Sequence, residues 1–254
     1  MGRITLLENS YRYAREALRK AIAAETDGDQ WQFAILLIVQ AVELALKEKL
    51  RREHELLVYV NPDSPRRTVS TEQALLRLSQ IPSVRISRDD RRMIELAVGW
   101  RNLIVHHEFD FSNEVLKSAF ARLLGFLSSF TVESFGTSFR DFLGDEEWER
   151  VLEIQEYLRE LYRRAEERLE TLAVDESDCW ACIMCAGPFI IKSGKGICLL
   201  CHYEESVVVC SHCGEKFLLQ HMREIQGQGG EENSSTAPLC ESCYSELLDP
   251  NGQH

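Results

Sequence analysis

All nine cysteines of this chain lie between Cys179 and Cys243, and the first 178 residues contain none. Eight of them form four Cys-x-x-Cys pairs: Cys182/Cys185, Cys198/Cys201, Cys210/Cys213 and Cys240/Cys243. A two-residue spacer lets two thiolates and the amides between them wrap one ion. Two such pairs complete a tetrahedral four-thiolate site, a donor set that favours zinc. Sequential pairing joins Cys182, Cys185, Cys198 and Cys201 in one site, and Cys210, Cys213, Cys240 and Cys243 in the other. A crossed pairing satisfies the same spacing. Cys179 is left over, either as a free thiol or as a substitute ligand. His202, His212 and His221 stand nearby, but eight paired thiolates already satisfy two ions. Four-thiolate sites are closed, so the expected cofactors are two structural zinc ions rather than catalytic ones.

The alternative use of so many cysteines, a disulfide framework, requires an oxidising compartment. The sequence offers no export signal: Met1 to Ser10 lacks an apolar core. The longest strongly apolar run, Phe33 to Val39, has seven residues, whereas a membrane span needs about 20. A cytoplasmic chain without a membrane anchor is the expectation, and its thiols remain available to metal.

The cysteine boundary coincides with a change in charge. The chain has 29 Lys+Arg against 41 Asp+Glu, a net charge of -12. Residues 174 to 254 hold only four basic side chains (Lys192, Lys195, Lys216, Arg223) against twelve acidic ones. A general nucleic-acid coat and a binder of anionic membranes are disfavoured, because the whole chain lacks their electrostatic footprint. The expected organisation is a helical domain over residues 1–174 and a metal-binding region over 175–254.

The first part reads as helix almost throughout. Leu6 to Glu25 repeats apolar residues with a helical period, and Thr26 to Asp29 is a turn. Gln30 to Glu53 is a long helix, apolar all round in its first half, as in a central buried helix. Asn61 to Pro65 is a loop, and Ser70-Thr71-Glu72-Gln73 fits a capping box that opens a short helix to about Gln80. A further helix starts at Ser87 and runs toward His106, and Phe109 to Ser112 breaks it. Asn113 to Phe135 is apolar helix, Gly136 to Gly144 a looser connection, and Asp145 to Ala173 a long charged helix. Trp148, Leu152, Tyr157, Leu161, Leu169 and Leu172 would form the packing stripe of that last helix. The cysteine-rich part has β-branched runs, such as Val207-Val208-Val209, that suggest short strands, and Gly227 to Ser235 reads as a flexible loop. The fold class is therefore mainly α: an antiparallel helical bundle with a small β-rich C-terminal domain.

One segment of the helical part carries candidate chemistry: Trp100-Arg101-Asn102-Leu103-Ile104-Val105-His106-His107. Asn102 and His106 are four residues apart and share a helix face. Arg101 and His106 are five apart, about 140° around the axis, so they do not stack. They can still converge on one phosphate across a helix end or a second subunit. The guanidinium neutralises phosphate charge and the imidazole moves protons near neutral pH. An ordinary helix with Trp100, Leu103, Ile104 and Val105 as core is the plain alternative. Glu43 lies on a mostly apolar helix, where a carboxylate needs a partner; Arg101 or solvent could supply it. Arg85, Arg88, Arg91 and Arg92 form either a basic rim for RNA or a solvated face laced with Asp89, Asp90 and Glu95.

Arg101-Asn102-x-x-x-His106 resembles the Arg-x4-His motif of the HEPN superfamily, including a polar residue directly after the arginine. Gln40-Ala41-Val42-Glu43-Leu44-Ala45-Leu46-Lys47 is similar to the second helix of that family, and the resemblance covers about residues 5 to 135. It implies a bundle of four to five helices that dimerises and brings two motifs together at the cleft. It also implies a metal-independent endoribonuclease, often a toxin or antiviral effector, with Arg101 and His106 catalytic and Asn102 contacting phosphate. Other members have lost catalysis and bind nucleotides or partners. The cysteine-rich part resembles tandem zinc ribbons over about residues 179 to 246. Its acidity favours a docked protein partner, such as an antitoxin, or dimer support over direct RNA binding.

Three functions follow as alternatives: an RNA-cleaving homodimer, a non-catalytic binding module, and a zinc-ribbon adaptor. The sequence has no Gly-x4-Gly-Lys-Ser/Thr phosphate loop and no Gly-x-Ser-x-Gly, which argues against a P-loop ATPase and a serine hydrolase.

Overall fold

A computed structural model describes residues 4–107, 111–185, 187–225 and 237–248. The chain divides into two compact units, Met1–Arg163 and Arg164–His254. The division falls inside a helix, Asp145–Thr171.

The first unit is built on α1 (Leu6–Ala23) and α2 (Gln30–Glu53). Thr5 caps α1, its hydroxyl accepting from the Glu8 N–H, and Ala14, Ala17 and Leu18 bury the face that meets α2. The helix α2 is the hub and packs against α1, α3 (Thr71–Leu78), α4 (Arg88–His106) and α5 (Asn113–Phe135). Its Ile35, Ile38, Leu46 and Leu50 are fully enclosed. The all-round apolar half is not wholly buried, since Phe33 keeps 45% of its surface. Its ring instead faces the Lys20 ammonium.

Ser70 and Gln73 form the capping box of α3 and Ser87 starts α4 as a cap, both as expected from the sequence. Ser112, read only as part of a break, caps α5. The connection after α5 contains a single 3-10 turn, Phe139–Phe142. Phe139 and Phe142 pack on Tyr11, with ring centroids 5.4 and 5.6 Å away. By length and composition α5 could cross a membrane, but 67% of its apolar window is buried within the bundle, the pattern of a core helix.

The last long helix, α6, spans Asp145–Thr171. Its packing stripe differs from the expected one. Val151, Ala165 and Leu169 are buried, Trp148, Tyr157 and Leu161 are half-buried, and Leu152 and Leu172 are exposed at 46% and 52%. Polar contacts select the rotation. The Gln155 amide donates to the Ala121 carbonyl at 2.9 Å, and Lys117 sits 3.9 Å over the Tyr157 ring.

Among its described residues the second unit contains three antiparallel pairs of short strands, β1 (Cys179–Trp180) with β2 (Ile190–Ile191), β3 (Val207–Val209) with β4 (Lys216–Leu218), and β5 (Met222–Ile225) with β6 (Ala237–Cys240). Their registers place Trp180 opposite Ile190, Val208 opposite Phe217, and Met222 opposite Cys240. Helix α7 (Glu241–Leu248) follows β6. The expected loop Gly227 to Ser235 and part of the break after α4, residues 108–110, lie outside the described residues.

Candidate functional site

The eight paired cysteines converge in two groups. Cys182, Cys185, Cys198 and Cys201 have all four Sγ atoms within 4.8 Å of one another, and so do Cys210, Cys213, Cys240 and Cys243. The Sγ atoms of Cys182 and Cys201 are 3.7 Å apart, and those of Cys185 and Cys198 are 3.6 Å apart. A disulfide would need about 2.05 Å. The edge of a tetrahedron with zinc–sulfur bonds of about 2.3 Å is about 3.8 Å, so the spacing suits one ion per group.

Electrostatics point the same way. Hydrogen bonds with Cys182 and Cys185 pull the Cys198 thiol down, while those with Cys182, Cys198 and Cys201 push Cys185 up. In the other group the N–H groups of Cys213 and Cys240 lower Cys210 to about 6, whereas Cys240 raises Cys243 to about 12. Four thiols this close cannot all ionise unless a cation neutralises them. The first group is enclosed, whereas Cys213 of the second is exposed. Among the described residues the two groups could each hold a metal ion. None of His202, His212 and His221 belongs to either.

Backbone conformation makes the knuckles. Gly214 has φ +75°, and its N–H reaches back to the Cys210 carbonyl at 3.0 Å. His202 occupies the same place after Cys198 and Cys201, with φ +60° and its N–H on the Cys198 carbonyl at 2.9 Å. The sequence marked Gly214 but not His202, since histidine carries no left-handed signal of comparable strength. Cys179, the leftover thiol, sits on β1 with its Sγ 3.9 Å from the Asp175 carbonyl.

The second place of interest is a polar cleft where α2, α3 and α4 meet, with a volume of about 650 Å³. Glu43 is its central group. Its carboxylate accepts from Lys47 Nζ at 2.7 Å, Arg101 Nη1 at 3.0 Å and the Thr71 hydroxyl at 3.0 Å. Lys47 also donates to Thr68 at 3.1 Å. Burial would raise the Glu43 carboxyl, but Lys47, Arg101 and Thr71 outweigh it and hold it below the usual range. Arg101 Nη2 approaches Asn102 Oδ1 at 3.5 Å, and both residues line the cleft.

His106 is not brought there. It is exposed on the last turn of α4 and has no side-chain hydrogen bond among the described residues. Beside it Leu103 and Val105 are exposed at 39% and 56%, contrary to a core role, while Trp100 is buried against Phe111. The arginine cluster sits at the other end of α4: Arg88 is about 20 Å from Arg101 along the axis. Arg91 pairs with Glu95 at 2.9 Å, and Arg85 and Arg91 line a separate cavity of about 390 Å³.

No protein-family model, curated protein or solved structure matches the chain. The thiol groups offer structural cross-links. The cleft offers a held guanidinium, an amide and several hydroxyls, the groups that recognise a phosphate and its ribose.

Proposed function

We propose that the protein is a metal-independent endoribonuclease of HEPN type, acting as a homodimer through its helical unit. The observation that supports this reading most directly is Arg101, paired with Glu43 in the lining of a polar cleft, on the helix that carries Asn102 and His106. The 2′-hydroxyl of the RNA attacks the adjacent phosphorus, the O2′–P bond forms and the P–O5′ bond breaks. The products are a 2′,3′-cyclic phosphate and a 5′-hydroxyl. His106 takes the 2′-proton, and a proton is returned to the leaving O5′, a role the second His106 of a dimer can fill. Arg101 stabilises the charge on the phosphorane oxygens and Asn102 orients the phosphate. The exposed His106 and its apolar neighbours Leu103 and Val105 suit a site completed by a second copy.

The two thiol groups would hold zinc, which supplies a structural cross-link and no reactive position. The acidic metal-binding unit serves to dock a protein partner, such as an antitoxin, or to support the dimer in a reducing cytoplasm. A second reading, a non-catalytic binding module, draws on the engagement of Arg101 by Glu43 and on an imidazole with no orienting partner among the described residues.

End-labelled RNA incubated without added divalent metal tests the proposal, with His106→Ala alongside. Fragments ending in 2′,3′-cyclic phosphate that disappear with the variant are expected. Equal cleavage by both proteins would overturn the assignment, and no cleavage by the wild type would favour the binding module.

A further inference from the structure

The wall of the cleft opposite α4 has no part in the proposed cleavage step, yet it is tightly built. Arg77 donates to the carbonyls of Leu57 at 2.6 Å and Tyr59 at 2.7 Å. The Val60 N–H donates to the Arg67 carbonyl at 2.8 Å, and the Val69 N–H to that of Val58 at 2.9 Å. Tyr59 and Thr68 form a bridge between these two stretches. The loop is thus a pinned hairpin that presents Arg67 to the cleft. Lys47 and Arg101 share the single Glu43 carboxylate, so that trio keeps one net positive charge, and the exposed Arg67 guanidinium, which makes no ion pair among the described residues, adds another. The hairpin therefore offers an exposed cation on a pinned backbone, the kind of group that binds a phosphate. The side-chain amides of Gln40 and Asn102 line the same cleft and can both donate and accept. Glu72, also on the lining, repels an anion, so a phosphate needs the Arg67 guanidinium as its partner.

We infer that this cleft seats a nucleotide flanking the scissile bond of single-stranded RNA, with Arg67 on its phosphate and the amides against its base edge. Single-stranded RNA is the expected ligand because the Watson–Crick edges that amides read are already occupied in paired RNA. The inference rests on the ribonuclease reading for the neighbouring step, but not for binding itself.

The experiment measures anisotropy of a labelled single-stranded oligoribonucleotide titrated with full-length His106→Ala protein, with and without Arg67→Ala. Arg66→Ala, an exposed neighbour that does not line the cleft, is the control. Arg67→Ala should weaken binding about tenfold and flatten the dependence of log affinity on log salt by about 0.7, the loss of one phosphate contact on a single strand. Arg66→Ala should leave both unchanged. Equal affinity and salt slope with and without Arg67, or equal losses for both arginines, would overturn the inference. Wild-type cleavage assays separate the two ideas. Cleavage whose KM ignores Arg67→Ala removes the cleft and leaves the ribonuclease. Arg67-dependent binding without any cleavage keeps the cleft and removes the ribonuclease. No binding by any form removes the cleft outright.

Discussion

At Glu43 three donors meet one carboxylate of which only 14% is exposed. Replacement by Ala leaves Lys47 and Arg101 without their shared partner in a half-dry pocket. Full burial of a broken pair costs about 3–5 kcal/mol, and partial exposure of Arg101 reduces this to about 1–3 kcal/mol. Denaturant unfolding of Glu43→Ala should read that loss, and a change under 0.5 kcal/mol would show the cluster to be solvated. Two glycines of the metal-binding unit separate backbone strain from collision. Gly196 and Gly214 both have left-handed φ, +82° and +75°. A Cβ on Gly196 would stand 2.1 Å from the Glu205 carbonyl oxygen, whereas one on Gly214 meets nothing. Gly214→Ala should therefore cost about 1 kcal/mol, the strain alone. Gly196→Ala should cost more than twice as much, because the obstacle is backbone. Zinc competition against a chromophoric chelator reads both, and equal losses would refute the steric distinction.

At the level of elements, α6 shows where periodicity misleads. Its large apolar residues suggested one stripe, yet Val151 is 1% exposed and its neighbour Leu152 is 46% exposed. Val151→Ala should lower the melting temperature by the cost of a small core cavity, about 1–2 kcal/mol, and Leu152→Ala should change it by less than about 0.5 kcal/mol. The reverse order would restore the stripe expected from sequence. Long apolar helices were legible: α2 and α5 begin and end where their sequences say. On the charged α6, several rotations bury similar apolar area, and polar partners such as Gln155 with Ala121 choose among them.

Across the whole molecule, three carboxylates tie helical stability to pH. Burial opposes ionisation of Glu43 and Glu48, but Lys47 with Arg101, and Arg51 with Arg52, more than compensate. Arg15 does the same for Glu147. All three titrate below the usual carboxylate value, so their stabilisation is complete above about pH 4.5 and fades as pH falls further. Helical circular dichroism with denaturant midpoints from pH 7 to 3 should fall mainly below that value. A flat profile would mean the pairs are not formed in solution. Metal should act on the other unit. Two zinc ions per chain are expected by elemental analysis, and chelation should unfold the cysteine-rich unit while sparing most helical signal. Melting of the entire chain in one step would show that the units are not independent.

The sequence by itself determined the local and the periodic: helix boundaries through their caps, and the cysteine spacing that calls for metal. These depend on residues a few positions apart, so they can be read along a line. Only the tertiary structure decided which cysteine pairs share a group, that Glu43 meets Arg101 across 58 positions, and that His202 takes a left-handed turn. It also decided that Arg101 enters a cleft walled by Arg67 while His106 stays outside. Such contacts depend on how far each helix is rotated and where each loop is pinned, and no short-range pattern in the chain encodes either.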